Sequence, residues 1–195
     1  MEFQDVVRHR RMVRNFDGRP LPPEVVERLL ANARRGPSAG FTQGVDLLVL
    51  EGPDETAAYW DVSLPDGRRD RFRWEGLLRA PLLILVFCSK QAYVDRYAEP
   101  DKGVPARPQR WVTPFWHIDG AFAAMLVLLS AVDAGLGALF FAVFRPEAVR
   151  QAFGVPEAYE PVGAIAVGYP LPDEPSPSLA RGRRRADEVV HRGRW

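Results

Sequence analysis

Arginine is the residue type in this chain whose placement could do chemistry. Four guanidinium groups stand near the start, on Arg8, Arg10, Arg11 and Arg14, and six near the end, on Arg181, Arg183, Arg184, Arg185, Arg192 and Arg194. Lys90 and Lys102 are the only lysines, a bias that a GC-rich genome would also produce. A guanidinium is a planar fork of donors that binds phosphate through paired, charge-assisted hydrogen bonds. Either cluster could grip a phosphate, although each on its own reads more simply as a solvated helix end or a solvated tail.

Other familiar chemistries are poorly served. Gly135-x-Gly137 has Phe140 where a dinucleotide fingerprint needs its third glycine, and it follows a helix rather than a strand. There is no Walker loop. His9, His117 and His191 show no metal-ligand spacing and read as surface or interface histidines. Cys88, the sole cysteine, ends an apolar run and reads as a small core residue. It also excludes an intrachain disulfide, so a reducing compartment, the cytoplasm, is the expected setting.

The elements that must position the arginines follow from periodicity. Phe3, Val6 and Val7 fall on one face of a short helix ending at Arg10-Arg11. Pro22 and Pro23 suit the first positions of a second helix, lined by Val25, Val26, Leu29, Leu30 and Ala33 and ended by Gly36-Pro37. Residues 38–44 form a small-residue loop, and 45–50 read as a strand. The stretch 54–79 reads as a short helix holding Tyr59-Trp60, a turn at Pro65-Asp66-Gly67, and a charged helix running to Leu78. Residues 82–87, continuously apolar, read as a strand buried on both faces. With four prolines, 99–114 read as a long surface loop. A long helix over 116–133, a strand over 138–144, a helix over 146–153 and a strand over 162–167 follow. The proline-rich stretch after Tyr169-Pro170 reads as an extended arm, 170–195, with too little apolar surface to fold alone.

Composition places this in one domain over 1–195. Hydrophobic residues make up 47% of the 195 and charged ones 26%, the balance of a folded globular chain. A net charge of +1 gives no global field for nucleic acid or an acidic membrane. Asp119 and Asp133 bound the most apolar run, which is too short between them to cross a bilayer of about 30 Å. It reads as a buried helix, and neither nucleic acid nor membrane is an expected partner.

Taken in order, several motifs resemble those of the FMN-dependent nitroreductase family. They are Arg10-Arg11-x-x-Arg14-x-Phe16, Pro37-Ser38-Ala39-x-x-x-Gln43, the helix ending in Gly135-Leu136-Gly137, the strand running from Gly163 to Pro170, and the closing Glu188-Val189-Val190-His191-x-x-Arg194-Trp195. No single motif is specific; their order and spacing together are.

The resemblance implies an α+β, nitroreductase-like fold with a central mixed β-sheet flanked by helices. It implies a homodimer that exchanges its C-terminal arms and holds FMN in the interface. Arg10 and Arg183, with Arg181 nearby, would hold the FMN phosphate, and Arg14 would face the N1/O2 edge of the flavin. Arg11 and Met12 would supply backbone and side-chain contacts along the ribityl chain. Ser38 and Gln43 would approach from the other subunit. The backbone N–H of Ala142, with Phe141 beside it, would meet flavin N5. Many relatives carry Ser at the position of Met12, Asn in place of Thr42, and Pro-Trp where this chain has Gly44-Val45. Phe41, Trp111, Phe115 and Trp116 are candidates for an aromatic cover.

The implied activity is ping-pong reduction of a small electron-poor aromatic, a nitro compound or quinone, at the expense of NAD(P)H. A fixed cation near N1 stabilises a reduced flavin and an N–H at N5 orients the accepting atom, so no side chain need act as catalytic acid or base. The alternative from another class is a flavin- or deazaflavin-binding protein with a storage or sensing role.

Overall fold

The computed structural model describes residues 1–102 and 111–195. The centre of the proline-rich loop expected over 99–114 therefore lies outside the described residues.

Among the described residues four strands form one sheet: β1 (Val45–Glu51), β2 (Leu82–Ser89), β3 (Gly137–Phe141) and β4 (Tyr159–Gly168), in the spatial order β1-β2-β4-β3. Every ladder is antiparallel; the parallel component is an isolated bridge between Met12 and Ala138. All eight residues of β2 are buried, as its unbroken apolar run requires of a strand flanked on both sides and covered on both faces.

Alternation along the strands divides the core in two. On one face Leu82, Ile84, Val86, Ala138, Ile165 and Val167 pack against α2 (Pro23–Ala33) and α5 (Phe115–Asp133). On the other Leu83, Leu85, Phe87, Leu139, Ala164 and Ala166 pack against Tyr59 and Trp60 of α3 (Gly52–Ser63) and Val149 of α6 (Pro146–Ala152). The 19-residue α5 is apolar enough to cross a membrane, but Ala123, Ala124, Val127, Leu128 and Ala131 bury one side of it in the first core.

The remaining helices are α1 (Phe3–His9) and α4 (Lys90–Tyr97), the latter capped by the Ser89 hydroxyl, which accepts from the Ala92 N–H at 3.3 Å. One expected helix is absent. Where a charged helix was read up to Leu78, the chain makes two short 3-10 turns, Arg69–Arg71 and Glu75–Arg79. Leu77 is buried and Phe72, Trp74 and Leu78 are half-buried against the second core, but Phe72, Trp74 and Leu77 are not spaced as the stripe of one helix. The strand expected over 138–144 ends at Phe141, and the last helix ends at Ala152.

Candidate functional site

The two arginine-bearing ends of the chain meet at their roots. After α1 the segment 10–16 runs along β3: Met12 bridges Ala138, and the Val13 N–H donates to the Ala138 carbonyl at 3.0 Å. Val13 and Phe16 are buried and fix the segment, while Arg11 is exposed and Arg10 and Arg14 are half-buried. The start of the arm then zips onto the same segment. Phe16 bridges Pro170, the Leu171 N–H donates to the Asn15 carbonyl at 2.9 Å, and the Arg14 N–H donates to the Asp173 carboxylate at 2.6 Å. The Arg14 guanidinium lies over the Trp74 ring, 5.2 Å from its centre.

Among the described residues no hydrogen bond or ion pair engages the guanidinium of Arg10, Arg11, Arg14, Arg181 or Arg183. Guanidinium groups left without internal carboxylates are suited to a phosphate-bearing ligand. The structure brings Arg10, Arg11, Met12 and Arg14 beside β3, which leads to Phe141 and the exposed Ala142. It does not bring Arg181 or Arg183 to them within one chain: residues 177–195 are exposed throughout, Leu179, Val190 and Trp195 included. Two side chains are turned away from a ligand. Met12 packs against both cores, and Phe141 stacks on Trp60 at 5.7 Å, so their backbones are what the site can use.

The other segment expected at the site, the loop 38–44, is tied down at almost every residue. The buried Asp119 of α5 accepts from the Ala39 N–H at 2.8 Å and from the Tyr93 hydroxyl at 2.7 Å. The Ser38 hydroxyl accepts from the Gln43 N–H at 2.8 Å. Arg96 donates to the Gly40 carbonyl at 3.0 Å while holding Glu99 and Asp101 with its other nitrogens. Gly40 has φ +64°, and a Cβ there would lie 2.7 Å from the Tyr97 ring, so both backbone and space demand glycine. Gly44 is equally constrained, because a Cβ would stand 2.6 Å from the Tyr93 ring. That ring occupies the space a side chain at position 44 would need.

Burial, and next the bond to Asp119, hold the Tyr93 hydroxyl above its ordinary pKa. Burial, then the nearby Glu160 carboxylate, push the Cys88 thiol up to about 12, which suits its reading as a core residue. Of the aromatic candidates, Trp116 is buried with Cys88 and Tyr93, and Trp111 packs edge-on to Tyr97 at 4.8 Å. Phe41 is 75% exposed.

Beside this loop opens a cleft of about 600 Å³, lined by Arg34, Arg35, Ser38, Phe41, Gln43 and Asp119 among others. Ser38 and Gln43 thus share a cleft with each other and not with Arg10 or Arg14. Sequence reasoning missed Asp119, Tyr93, Arg96, Trp74 and Asp173 as organisers. A lone carboxylate inside an otherwise apolar helix was the available signal for Asp119; the others are recognised only through tertiary contacts.

A family model described as the nitroreductase family matches residues 7–169. A 5,6-dimethylbenzimidazole synthase from Rhodospirillum rubrum is 29% identical over 94% of this chain and 90% of its own length. A Methanothermobacter thermautotrophicus protein, provisionally named NADH dehydrogenase/NAD(P)H nitroreductase, is 26% identical over 87% of this chain and 78% of its own. Among solved structures, an Exiguobacterium sibiricum protein in complex with FMN has the same fold, with TM-score 0.74, 19% identity and coverage of 98% of this chain and 97% of that one.

Proposed function

The chain belongs to the nitroreductase family, and from that premise we propose that it is an FMN-dependent oxidoreductase that uses NAD(P)H to reduce a small electron-poor aromatic, a nitro compound or quinone. The observation that carries this reading is the zipping of the arm's root, 169–173, onto 14–17, a segment whose Met12 and Val13 pair with Ala138, so that the N-terminal arginines lie beside β3. The relative named as an NAD(P)H nitroreductase and the solved relative that holds FMN supply the donor and the cofactor of the proposal.

In this reading Arg10, Arg181 and Arg183 hold the cofactor phosphate, and Arg14 places a positive charge at the N1/O2 edge. The cation–π seat on Trp74 and the bond from the Arg14 N–H to Asp173 hold that charge in place. Arg11 and the Met12 backbone follow the ribityl chain, and the Ala142 N–H, next to Phe141, orients N5. FMN held there would supply a hydride acceptor at N5 and onward electron transfer, with donor and acceptor taking turns in one pocket in a ping-pong sequence.

The reading further includes a homodimer. An arm with Leu179, Val189, Val190 and Trp195 all exposed has no core of its own to join. Phe3 and Val7 of α1 and Phe122 and Met125 of α5 add exposed apolar surface on the body. Arm exchange covers both and delivers Ser38 and Gln43 of one subunit to the cofactor of the other.

FMN retention tests the proposal. Arg10→Ala and Arg183→Ala, made separately, each remove a charge-assisted partner of a phosphate, weakening FMN binding by roughly 1.5–3 kcal/mol. Unchanged retention in both would remove the tail from the site, and a colourless protein that cannot be reconstituted with FMN would overturn the proposal. Bleaching by NAD(P)H without recovery on adding any nitroarene or quinone would favour storage or sensing over turnover.

A further inference from the structure

Between β3 and α6 the chain turns back through Ala142, Val143, Phe144 and Arg145, and the last of these is an arginine where local rules ask for something else. Arg145 is the N-cap of α6. An N-cap is ordinarily a short side chain on extended backbone that accepts from the first free N–H groups of the helix. Arg145 has no acceptor to offer in its side chain and brings positive charge to the positive end of the helix dipole. Its backbone is left-handed, with φ 50° and ψ 61°. For a residue with a Cβ that conformation is strained, and it persists only where other contacts hold it.

The holding contact is at the far end of the side chain. Arg145 Nη1 donates to the Val62 carbonyl at 2.9 Å, across 83 residues of sequence. Val62 lies in the last turn of α3, where the final carbonyls have no partner within the helix and the negative end of the dipole suits a guanidinium. One side chain thus ties the start of α6 to the end of α3. The beginning of the return is pinned to the same helix, because Phe141 stacks on Trp60 at 5.7 Å with 14° between the ring planes. Val143 and Phe144 pack against the second core, Phe144 edge-on to Phe72 at 6.3 Å. Ala142 is therefore held between two anchors on α3, the Trp60 ring and the Val62 carbonyl.

We propose that Arg145 is a positioning residue: its tie to the Val62 carbonyl fixes the return 142–145 and so the direction of the Ala142 N–H. The inference rests on the reading above, in which that N–H meets flavin N5, and adds the group that aims it. Arg145 acts through the backbone. A donor counts for more where N5 offers a lone pair, in the oxidised flavin, than where N5 carries a proton of its own. Aiming the N–H therefore favours the oxidised form, and slack in the return favours the reduced one.

The midpoint potential of bound FMN, measured by dye equilibration, tests this without relying on turnover. Arg145→Ala keeps the Cβ and the left-handed strain but loses the tie. It should bind oxidised FMN about fivefold more weakly and reduced FMN nearly as the wild type does, which raises the two-electron potential by about 20 mV. Hydrogen exchange on the oxidised, FMN-loaded protein should show lost protection in the peptide that carries Ala142. Arg145→Lys, whose ammonium can still donate to a carbonyl, should recover part of both. Arg150→Ala removes a bond of the same kind at the other end of α6, from Arg150 Nη1 to the Glu157 carbonyl at 2.9 Å, and should leave the potential at the wild-type value. An unchanged potential in Arg145→Ala would overturn the proposal. So would an equal shift in Arg150→Ala, because general loosening would then account for it, or a loss of affinity shared equally by oxidised and reduced FMN. Failure of the wild type to load FMN strikes the oxidoreductase reading instead, and is seen from the flavin spectrum before any variant is compared.

Discussion

The Tyr93 hydroxyl donates to the Asp119 carboxylate across 2.7 Å, joining α4 to α5 directly beneath the loop 38–44. The same carboxylate oxygen accepts from the Ala39 N–H at 2.8 Å, so one buried side chain sets both the helix that supports the loop and the loop itself. Asp119→Ala would leave two donors without partners. A buried orphan costs about 1–3 kcal/mol and the half-buried Ala39 N–H less than that, so unfolding in urea should show a loss of about 2–4 kcal/mol. Tyr93→Phe removes one donor and should cost only about 1 kcal/mol. Equal losses in the two variants would mean that Asp119 does not hold the loop.

The pH dependence of the same pair follows from Tyr93. Its hydroxyl is held above the ordinary value of 10.0, first by burial and then by the bond to Asp119. A folded-state pKa raised above the unfolded one gives stability that is complete below the unfolded pKa and lost as pH climbs toward the folded one. Stability should therefore be flat in this respect up to about pH 10 and decline above it. Tyr59 and Tyr159 shift in the same direction, so the wild-type slope alone is not diagnostic. The difference between wild type and Tyr93→Phe is: the variant should decline less steeply from pH 10 to 11.

Asp173 is the clasp between the arm's root and the arginine string, accepting from the Arg14 N–H at 2.6 Å. Asp173→Ala deletes a charge-assisted bond worth about 1.5–3 kcal/mol and should release Arg14 from its seat over Trp74. Lower FMN affinity together with faster proteolysis within 170–195 is the expected result. A fall in stability with the FMN dissociation constant unchanged would show that the clasp is structural only.

Cys88 is fully buried, and its thiol is pushed up to about 12. At pH 8 the reactive thiolate is then a fraction on the order of one in ten thousand. Ellman's reagent should release no thiol signal from the folded protein at pH 8 and one equivalent after guanidinium unfolding, since the chain has a single cysteine. Rapid labelling in the folded state would mean that β2 opens readily at its end.

Much of this architecture is legible because its signals are local. The unbroken apolar run of β2 announces a strand with neighbours on both sides, and Pro22-Pro23 marks the start of α2. The arginine string and the Pro37-Ser38 loop are readable through motif order, which survives when single residues change. The helix expected before Leu78 gives way to two short turns because its inward residues, Phe72, Trp74 and Leu77, are not spaced as one helical face. Asp119, Arg96 and Asp173 escape for a different reason. Each acts on backbone 50 or more residues away in sequence, as the separations of 80, 56 and 159 show, and no local pattern encodes such a pairing. Gly44 is similar: its need becomes visible only once the Tyr93 ring is seen against it.

The strain at Phe41 can be weighed against the two substitutions that separate backbone from side chain. Phe41→Ala keeps a Cβ at φ 55° and so keeps the strain, whereas Phe41→Gly removes it. Left-handed backbone costs a residue with a Cβ about 1–2 kcal/mol, against about 0.5–1 kcal/mol for the extra freedom glycine gains on unfolding. With the ring 75% exposed, little burial is lost in either variant. Phe41→Gly should therefore unfold at a temperature a few degrees above Phe41→Ala, and at or above the wild type, as read by calorimetry. A glycine variant less stable than the alanine variant would show that the left-handed conformation at Phe41 is not strained in solution.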